Sequence, residues 1–403
     1  MPQAYPVAPQ PRICAVGRPS TLNRDRIASY ARSGVHPAAV VCDASFVNGL
    51  TAIRSLGRMG APVFAVDHRR SALGFRSRYA TALESPDPGT ETADYIDYLC
   101  DLGDAIGRPT PIIPTHDPPV NAIGRHRAEL GDRYLFPFPG PETLQRVQSK
   151  REQLDRAVAS GVDVPETAHP RSREEALADG DRIGYPVLVK PSNPDGFRRR
   201  FRRQAFPCQS PTELERAFSD AEPYEPMVQE LVPGGDDQLY TVGSYIGADG
   251  AVLGLFSGRK LRQSPPGVGT CRVGEAVWVQ DTVDAALRLL RAFDFHGVSQ
   301  VEFKRDPRDG RYKLMEVNPR LWLWHGLAAA LGVDFSRIAY LDLLGRRGAP
   351  VTTEGQRGRW AITLLAGETP ALQRPPYVEP VFALDDPKPG ATQLARVVRA
   401  VLR

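Results

Sequence analysis

Between Gln300 and Arg320 the chain runs QVEFKRDPRDGRYKLMEVNPR, and three of these side chains carry oxygen donors at a spacing that suits a divalent cation. Val301 to Lys304 and Tyr312 to Val317 alternate around the turn formers Asp306, Pro307, Asp309 and Gly310, which predicts an antiparallel hairpin. Glu316 and Asn318 stand two apart on one strand and so share a face. Glu302 joins them only if the two strands pair in the matching register. Two carboxylates and an amide oxygen form a hard donor set of the kind that holds magnesium together with nucleotide phosphates. Two glutamates on the solvent side of an ordinary hairpin need no ligand, so the hairpin by itself leaves both readings open.

The cations differ in type along the chain. Of 51 basic residues only Lys150, Lys190, Lys260, Lys304, Lys313 and Lys388 are lysine. With arginine as the default cation, lysine marks candidate places where a compact ammonium is required and a planar fork will not serve. The opposite type gathers in SNPDGFRRRFRR, Ser192 to Arg203, which sets five arginines around Phe201. This segment is expected to be a loop that is simply solvated, caps triphosphate charge, holds an acidic substrate or touches nucleic acid. A formal charge of +4 is small for 403 residues and argues against nucleic acid.

The elements that must position these groups fall into two patterns. Ala38 to Cys42 and Pro62 to Asp67 are apolar runs separated by a helical stretch, Asn48 to Gly60, which makes a βαβ unit and hence a parallel sheet. Helix Thr92 to Leu102, strand Thr110 to Pro114 and helix Pro118 to Leu130 continue it. No G-x-G-x-x-G opens any of these helices, so a dinucleotide site is not supported. Asp43, Ser45, Asp67 and Asp117, at strand ends, either line a ligand crevice or cap helices. FPFPGP, Phe136 to Pro141, marks a boundary, after which Thr143 to Ser160 is predicted as one helix carrying Lys150. Paired strands follow: Pro186 to Lys190 with Gln204 to Pro207, and Tyr240 to Ile246 with Ala251 to Ser257. The fold class is therefore an α/β domain with a parallel sheet, then an α+β domain of antiparallel sheets. A weak strand at Trp360 to Leu365 and a helix at Ala391 to Leu402 close the chain.

Five scattered cysteines form no C-x-x-C pair, which fits a reducing compartment. The proline-rich Met1 to Pro11 lacks the features of a secretory signal, and no apolar run is long enough to span a membrane. A soluble, cytoplasmic protein with a disordered start is expected.

The run Glu316, Val317, Asn318, Pro319, Arg320 resembles the metal-binding hairpin of the ATP-grasp superfamily, whose strand ends in Glu-x-Asn-Pro-Arg, with Glu302 fourteen residues upstream where that superfamily places its other metal ligand. The resemblance implies ATP and magnesium as cofactors, one or two ions held by Glu302, Glu316 and Asn318, with manganese an acceptable substitute. It implies that Arg320 meets the transferred phosphoryl group or a substrate carboxylate, and that Lys150 and Lys190, the latter ending YPVLVKP, face phosphates. MVQELVPGG, Met227 to Gly235, looks like the hinge whose backbone reads adenine through Gln229, Glu230 and Val232, with Asp236 or Asp237 accepting from the ribose. Lys260 is a further catalytic candidate, or a plain loop cation. Trp322, Trp324 and His325 line a substrate pocket or the core, with His325 a candidate general base.

On this likeness the chain divides into an extension (1–35), a Rossmann-like domain (36–139), an ATP-grasp domain (140–345) and a C-terminal extension (346–403). The implied activity is that of a carboxylate-amine ligase, closest to the D-aspartate ligase-like and carbamoyl phosphate synthetase-like branch. Its partners would be a small carboxylate and an amine, and a homodimer stays open. A nucleotide-binding regulatory module, or a phosphorylating enzyme without amine transfer, is the alternative.

Overall fold

In the computed structural model the described residues are 22–192, 194–267, 269–362 and 377–401. The first apolar runs form a five-stranded parallel sheet from Ala39–Cys42, Val63–Asp67, Ala80–Glu84, Thr110–Pro114 and Tyr134–Leu135. Ala39–Cys42 lies at its centre, with the second and third strands to one side and the fourth and fifth to the other. The central strands are buried on both faces, which is why they are continuous apolar runs without alternation. Ala80–Glu84 and Tyr134–Leu135 were not anticipated. They are edge strands, one partly exposed and one two residues long, and carry little periodicity. The predicted helix Pro118 to Leu130 breaks at His126 into Asp117–Arg125 and Arg127–Leu130. Within the expected extension, helix Arg24–Ala31 packs Ile27 and Ala31 into this core.

A four-stranded antiparallel sheet follows, in the order Thr167–Ala168, Pro226–Glu230, Val187–Pro191, Phe206–Cys208. The expected loop after Lys190 is instead a helix, Pro194–Phe201. Phe197 and Phe201, four apart, stand on one helix face and pack with Phe206 and Tyr224, at ring separations of 4.8 to 6.1 Å. Arg199, Arg200, Arg202 and Arg203 are exposed. Aromatic burial thus decided a segment whose arginine content suggested only solvation.

The predicted helix Thr143 to Ser160 also divides. Ser149 takes an extended backbone, ends Pro141–Gln148 and caps Lys150–Ala159 by accepting from the Glu152 amide. Lys150 is therefore the first residue of a helix, not an interior one.

The last sheet has eight strands. Tyr312–Asn318, Gly297–Arg305, Leu239–Ile246, Val252–Ser264, Thr270–Ala276, Gly358–Ala361 and Tyr377–Val378 lie side by side in that order, and Val351–Thr352 pairs with Val252–Ser264. Trp322 packs against this sheet at Gly243, where an added Cβ would stand 2.0 Å from the indole. The closing strand is Gly358–Ala361; the rest of its predicted span includes Leu365, which lies outside the described residues. The closing helix is Pro387–Val401. Arg54, buried in the first unit, binds Asp386 and the carbonyls of Pro380 and Val381, anchoring the C-terminal segment. Among the described residues no helix is long and apolar enough to cross a membrane.

Candidate active site

The hairpin pairs in the register the site requires. Glu302 lies directly opposite Glu316, and Gln300 opposite Asn318, with the register shifting only after Glu302. Four oxygen-bearing side chains therefore share one face. Gln300 links them, donating from Nε2 to Glu302 Oε1 at 2.8 Å and accepting from Asn318 Nδ2 at 3.3 Å. Sequence reasoning missed Gln300, although its position two residues before Glu302 was the available signal.

Facing carboxylates repel each other and need a cation. Lys260 supplies one, its Nζ lying 2.7 Å from Glu302 Oε1 and 3.2 Å from Gln263 Oε1. Burial alone would lower the Lys260 ammonium, but Glu302, with Cys271 and Glu316 in reach, holds it above its ordinary value. Among the described residues no group of three or more His, Cys, Asp or Glu side chains is placed to hold a metal ion by itself. The protein thus offers two carboxylates and amide oxygens, all hard donors, and leaves further coordination to water or phosphate. That set fits magnesium and is too oxygen-rich and too sparse for a closed zinc site.

Lys190, on strand Val187–Pro191, donates to Gln229 Oε1 at 2.6 Å, and Gln229 Nε2 donates to Thr167 Oγ1 at 2.8 Å. Burial pushes the Lys190 ammonium down to about 7, and neighbouring Lys150 and Lys304 push the same way while Glu316 opposes them. Lys150, Lys190 and Glu316 therefore act on one space, although they come from three separate elements. A polyanion entering it relieves the repulsion between the lysines. Lys150, Glu316 and Asn318 line a cavity of about 1140 Å³, together with Ser149, Ser192 and Asp117.

Arg320 reaches across to the first unit, its Nε donating to Asp117 Oδ1 at 2.5 Å and its Nη2 to Asp117 Oδ2 at 3.1 Å. Nη2 also lies 3.3 Å from Asn318 Oδ1. Burial opposes the Arg320 charge, and Asp117 more than restores it. Asp117, at the first turn of its helix, is thus a partner in the site and not merely a cap.

Other expected residues sit elsewhere. The Glu230 amide donates to Glu166 and its carboxylate binds Lys313, so neither faces open space; Val232 is buried just beyond. Asp236 accepts from the amides of Gln263 and Gly267 and from the Gln263 side chain, fixing the 263–267 loop and leaving its oxygens committed. Asp237 is exposed. His325 is fully buried, with Nε2 3.2 Å from the Asn48 carbonyl oxygen, and burial lowers its imidazole pKa. It therefore does not meet the access a general base needs. Trp322 and Trp324 are buried against Phe256 and belong to the core.

Residues 278–340, which span the hairpin, match the family model described as carbamoyl-phosphate synthase L chain, ATP binding domain. The chain is 24% identical over 250 residues to the D-aspartate ligase of Enterococcus faecium, covering 58% of each protein, so it spans less than two thirds of that relative. Among solved structures it is similar to the biotin carboxylase domain dimer of Hydrogenobacter thermophilus 2-oxoglutarate carboxylase, in complex with MgADP and bicarbonate (TM-score 0.64, 17% identity, 80% of this chain and 73% of that one). It is also similar to N5-carboxyaminoimidazole synthetase of Staphylococcus aureus (TM-score 0.59, 13% identity, 78% and 79%). The chain is thus matched by that ATP binding domain model through its carboxylate hairpin, and it shares the fold of these solved structures over about four fifths of its length.

Proposed function

We propose that the chain is an ATP-dependent ligase that activates a carboxylate as an acyl phosphate for attack by an amine. The observation that carries this reading is the Glu302–Glu316 pair, set opposite each other and flanked by Lys260 and Arg320. Glu302, Glu316 and Asn318 would hold one or two magnesium ions, with manganese an acceptable substitute. The metal, when bound, supplies charge neutralisation between the nucleotide phosphates.

In the proposed reaction a carboxylate oxygen of the substrate forms a bond to the γ-phosphorus as the bond to ADP breaks. The amine nitrogen then bonds to the acyl carbon, phosphate leaves with the oxygen it received, and the amine loses a proton. Lys150 and Lys190 hold phosphate charge from two sides, Lys260 holds Glu302 in place, and Arg320 orients the carboxylate. Catalysis is then mainly positioning and electrostatics. Gln229, Glu230 and Val232 bound the adenine end, where the Glu230 carbonyl and the Val232 amide are the remaining backbone candidates. Asp237 is the better ribose candidate, because Asp236 is committed to its loop. The carboxylate and amine are small molecules. A homodimer is the assembly we favour, on the likeness to a dimeric domain.

The test is ADP release by the full chain with ATP, magnesium and a panel of amino acids and simple carboxylates. Nucleotide binding without ADP release under any pair would sink the ligase reading and leave a binding module.

A further inference from the structure

Another cavity, of about 500 Å³, shares no lining residue with the one that holds Lys150 and Glu316. It lies where the two units meet: Arg127, Ala128, Gly131 and Leu135 come from the first, His296 and Asp342 from the second. The connection 136–139 is tied to strand Gly297–Arg305 by the Val298 amide, which donates to the Pro137 carbonyl at 3.0 Å. Gly297 has a φ of 103°, and an added Cβ would stand 2.1 Å from that carbonyl oxygen, so this wall is set by a glycine. Glu302 follows five residues later on the same strand, roughly 17 Å away at about 3.4 Å per residue. A small molecule in the cavity therefore does not touch the proposed metal face.

Arg127 is half-buried in this wall, and among the described residues no carboxylate pairs with it. Its Nη1 donates to the carbonyls of Phe138 and Pro139, both at 2.9 Å, and its guanidinium lies over the Phe136 ring, 4.6 Å from the centroid. Nε and Nη2 make no hydrogen bond among the described residues. Burial pulls the guanidinium below its ordinary value, with no carboxylate to restore it. Arg54 and Arg320 are desolvated too, but they meet Asp386 and Asp117. Arg320 gives Asp117 the same Nε–Nη2 edge that Arg127 leaves unspent. That edge is a planar fork matched to the two oxygens of a carboxylate. The rest of the lining limits what the carboxylate carries. Leu135, Pro137 and Leu343 are apolar, and Asp342 is engaged by the Tyr245 hydroxyl at 2.8 Å and by Arg347 Nε at 2.7 Å. A second negative charge on the ligand would face Asp342 and be repelled.

We propose that this cavity is a binding site for a small monocarboxylate with an apolar body, such as an aromatic acid. Its two oxygens take the Nε–Nη2 edge of Arg127, and its body lies against Leu135 and Leu343. A volume of about 500 Å³ falls in the range of roughly 300–1,000 Å³ that suits small organic ligands. The site is separate from the nucleotide cleft and stands without the ligase reading.

The probes are para-fluorobenzoate and its neutral counterpart para-fluorobenzamide, each titrated against the full chain by fluorine NMR. The acid is expected to bind saturably and the amide at least about tenfold more weakly, because the amide lacks the charge-assisted pair of bonds. Arg127→Lys keeps the charge without the fork and should weaken fluorobenzoate about fivefold, and Arg127→Gln at least about tenfold. Arg127 also holds the connection 136–139, so Gly131→Phe supplies an independent check. An added Cβ at Gly131 meets nothing within 4 Å, so the new ring can occupy the cavity with the fold intact, and fluorobenzoate binding should be lost. Saturating magnesium ATP should leave fluorobenzoate bound. Equal affinity for acid and amide, undiminished binding to Arg127→Gln or Gly131→Phe, displacement by magnesium ATP, or no saturable binding to the wild-type chain would each overturn the inference.

Discussion

Arg320 grips Asp117 through two arms of its guanidinium, at 2.5 and 3.1 Å, although the two residues lie 203 positions apart and in different sheets' territory. The same guanidinium touches Asn318, so the first unit is tied by one side chain to the proposed metal face. Asp117→Asn keeps the shape and removes the charge. It is expected to lower kcat for ADP formation about ten- to a hundredfold, through misplacement of Arg320, with KM for ATP little changed. Steady-state kinetics at saturating ATP would check it; a pure rise in KM for ATP would contradict it.

The facing glutamates make unequal contributions. Glu316→Gln should reduce turnover about 10²–10³-fold and leave the melting temperature close to wild type. Glu302→Gln should also abolish turnover, but it strands the buried Lys260 ammonium and is expected to cost about 3 kcal/mol of stability. Paired denaturation curves distinguish the two. Equal stability of both variants would mean that Lys260 does not depend on Glu302.

Lys190 ties stability to pH. Its ammonium titrates near 7 in the folded chain against an ordinary value of 10.5, so between these limits the unfolded chain carries the proton and the native state does not. Stability contributed through Lys190 therefore rises as pH climbs from about 7 to 10.5, and below 7 the penalty for a buried charge is present in full. Lys190→Met should flatten that rise in thermal melts recorded without nucleotide. Because a triphosphate favours the charged form, its binding above pH 7 should also take up protons, visible as a buffer-dependent enthalpy.

Arg54 anchors the C-terminal segment through Asp386, which also accepts from Ser77 Oγ and the Arg78 amide. Arg54→Met leaves Asp386, itself fully buried, without its guanidinium and is expected to cost about 3–5 kcal/mol. Limited proteolysis should then cut near residues 380–386 before the rest of the chain. Unaltered cleavage would show that the segment is held by its other contacts.

Much of this protein was legible without coordinates, wherever the information is local. Period-two alternation located the hairpin and placed Glu316 and Asn318 on one face, and buried apolar runs located the parallel sheet. Local pattern also placed Lys190 at the end of its strand. It misjudged Thr143 to Ser160 and Ser192 to Arg203, where a single serine cap and a four-ring aromatic cluster override the average character of the segment. Only tertiary structure decided that Glu302 faces Glu316, since register depends on hydrogen bonds between strands. The same holds for Gln229 holding Lys190, for Asp236 being spent on a loop, and for Asp117 meeting Arg320. Spacing along a chain dictates which side chains share a face; which face meets which is settled by long-range packing, where desolvated charges must find partners that no local pattern names.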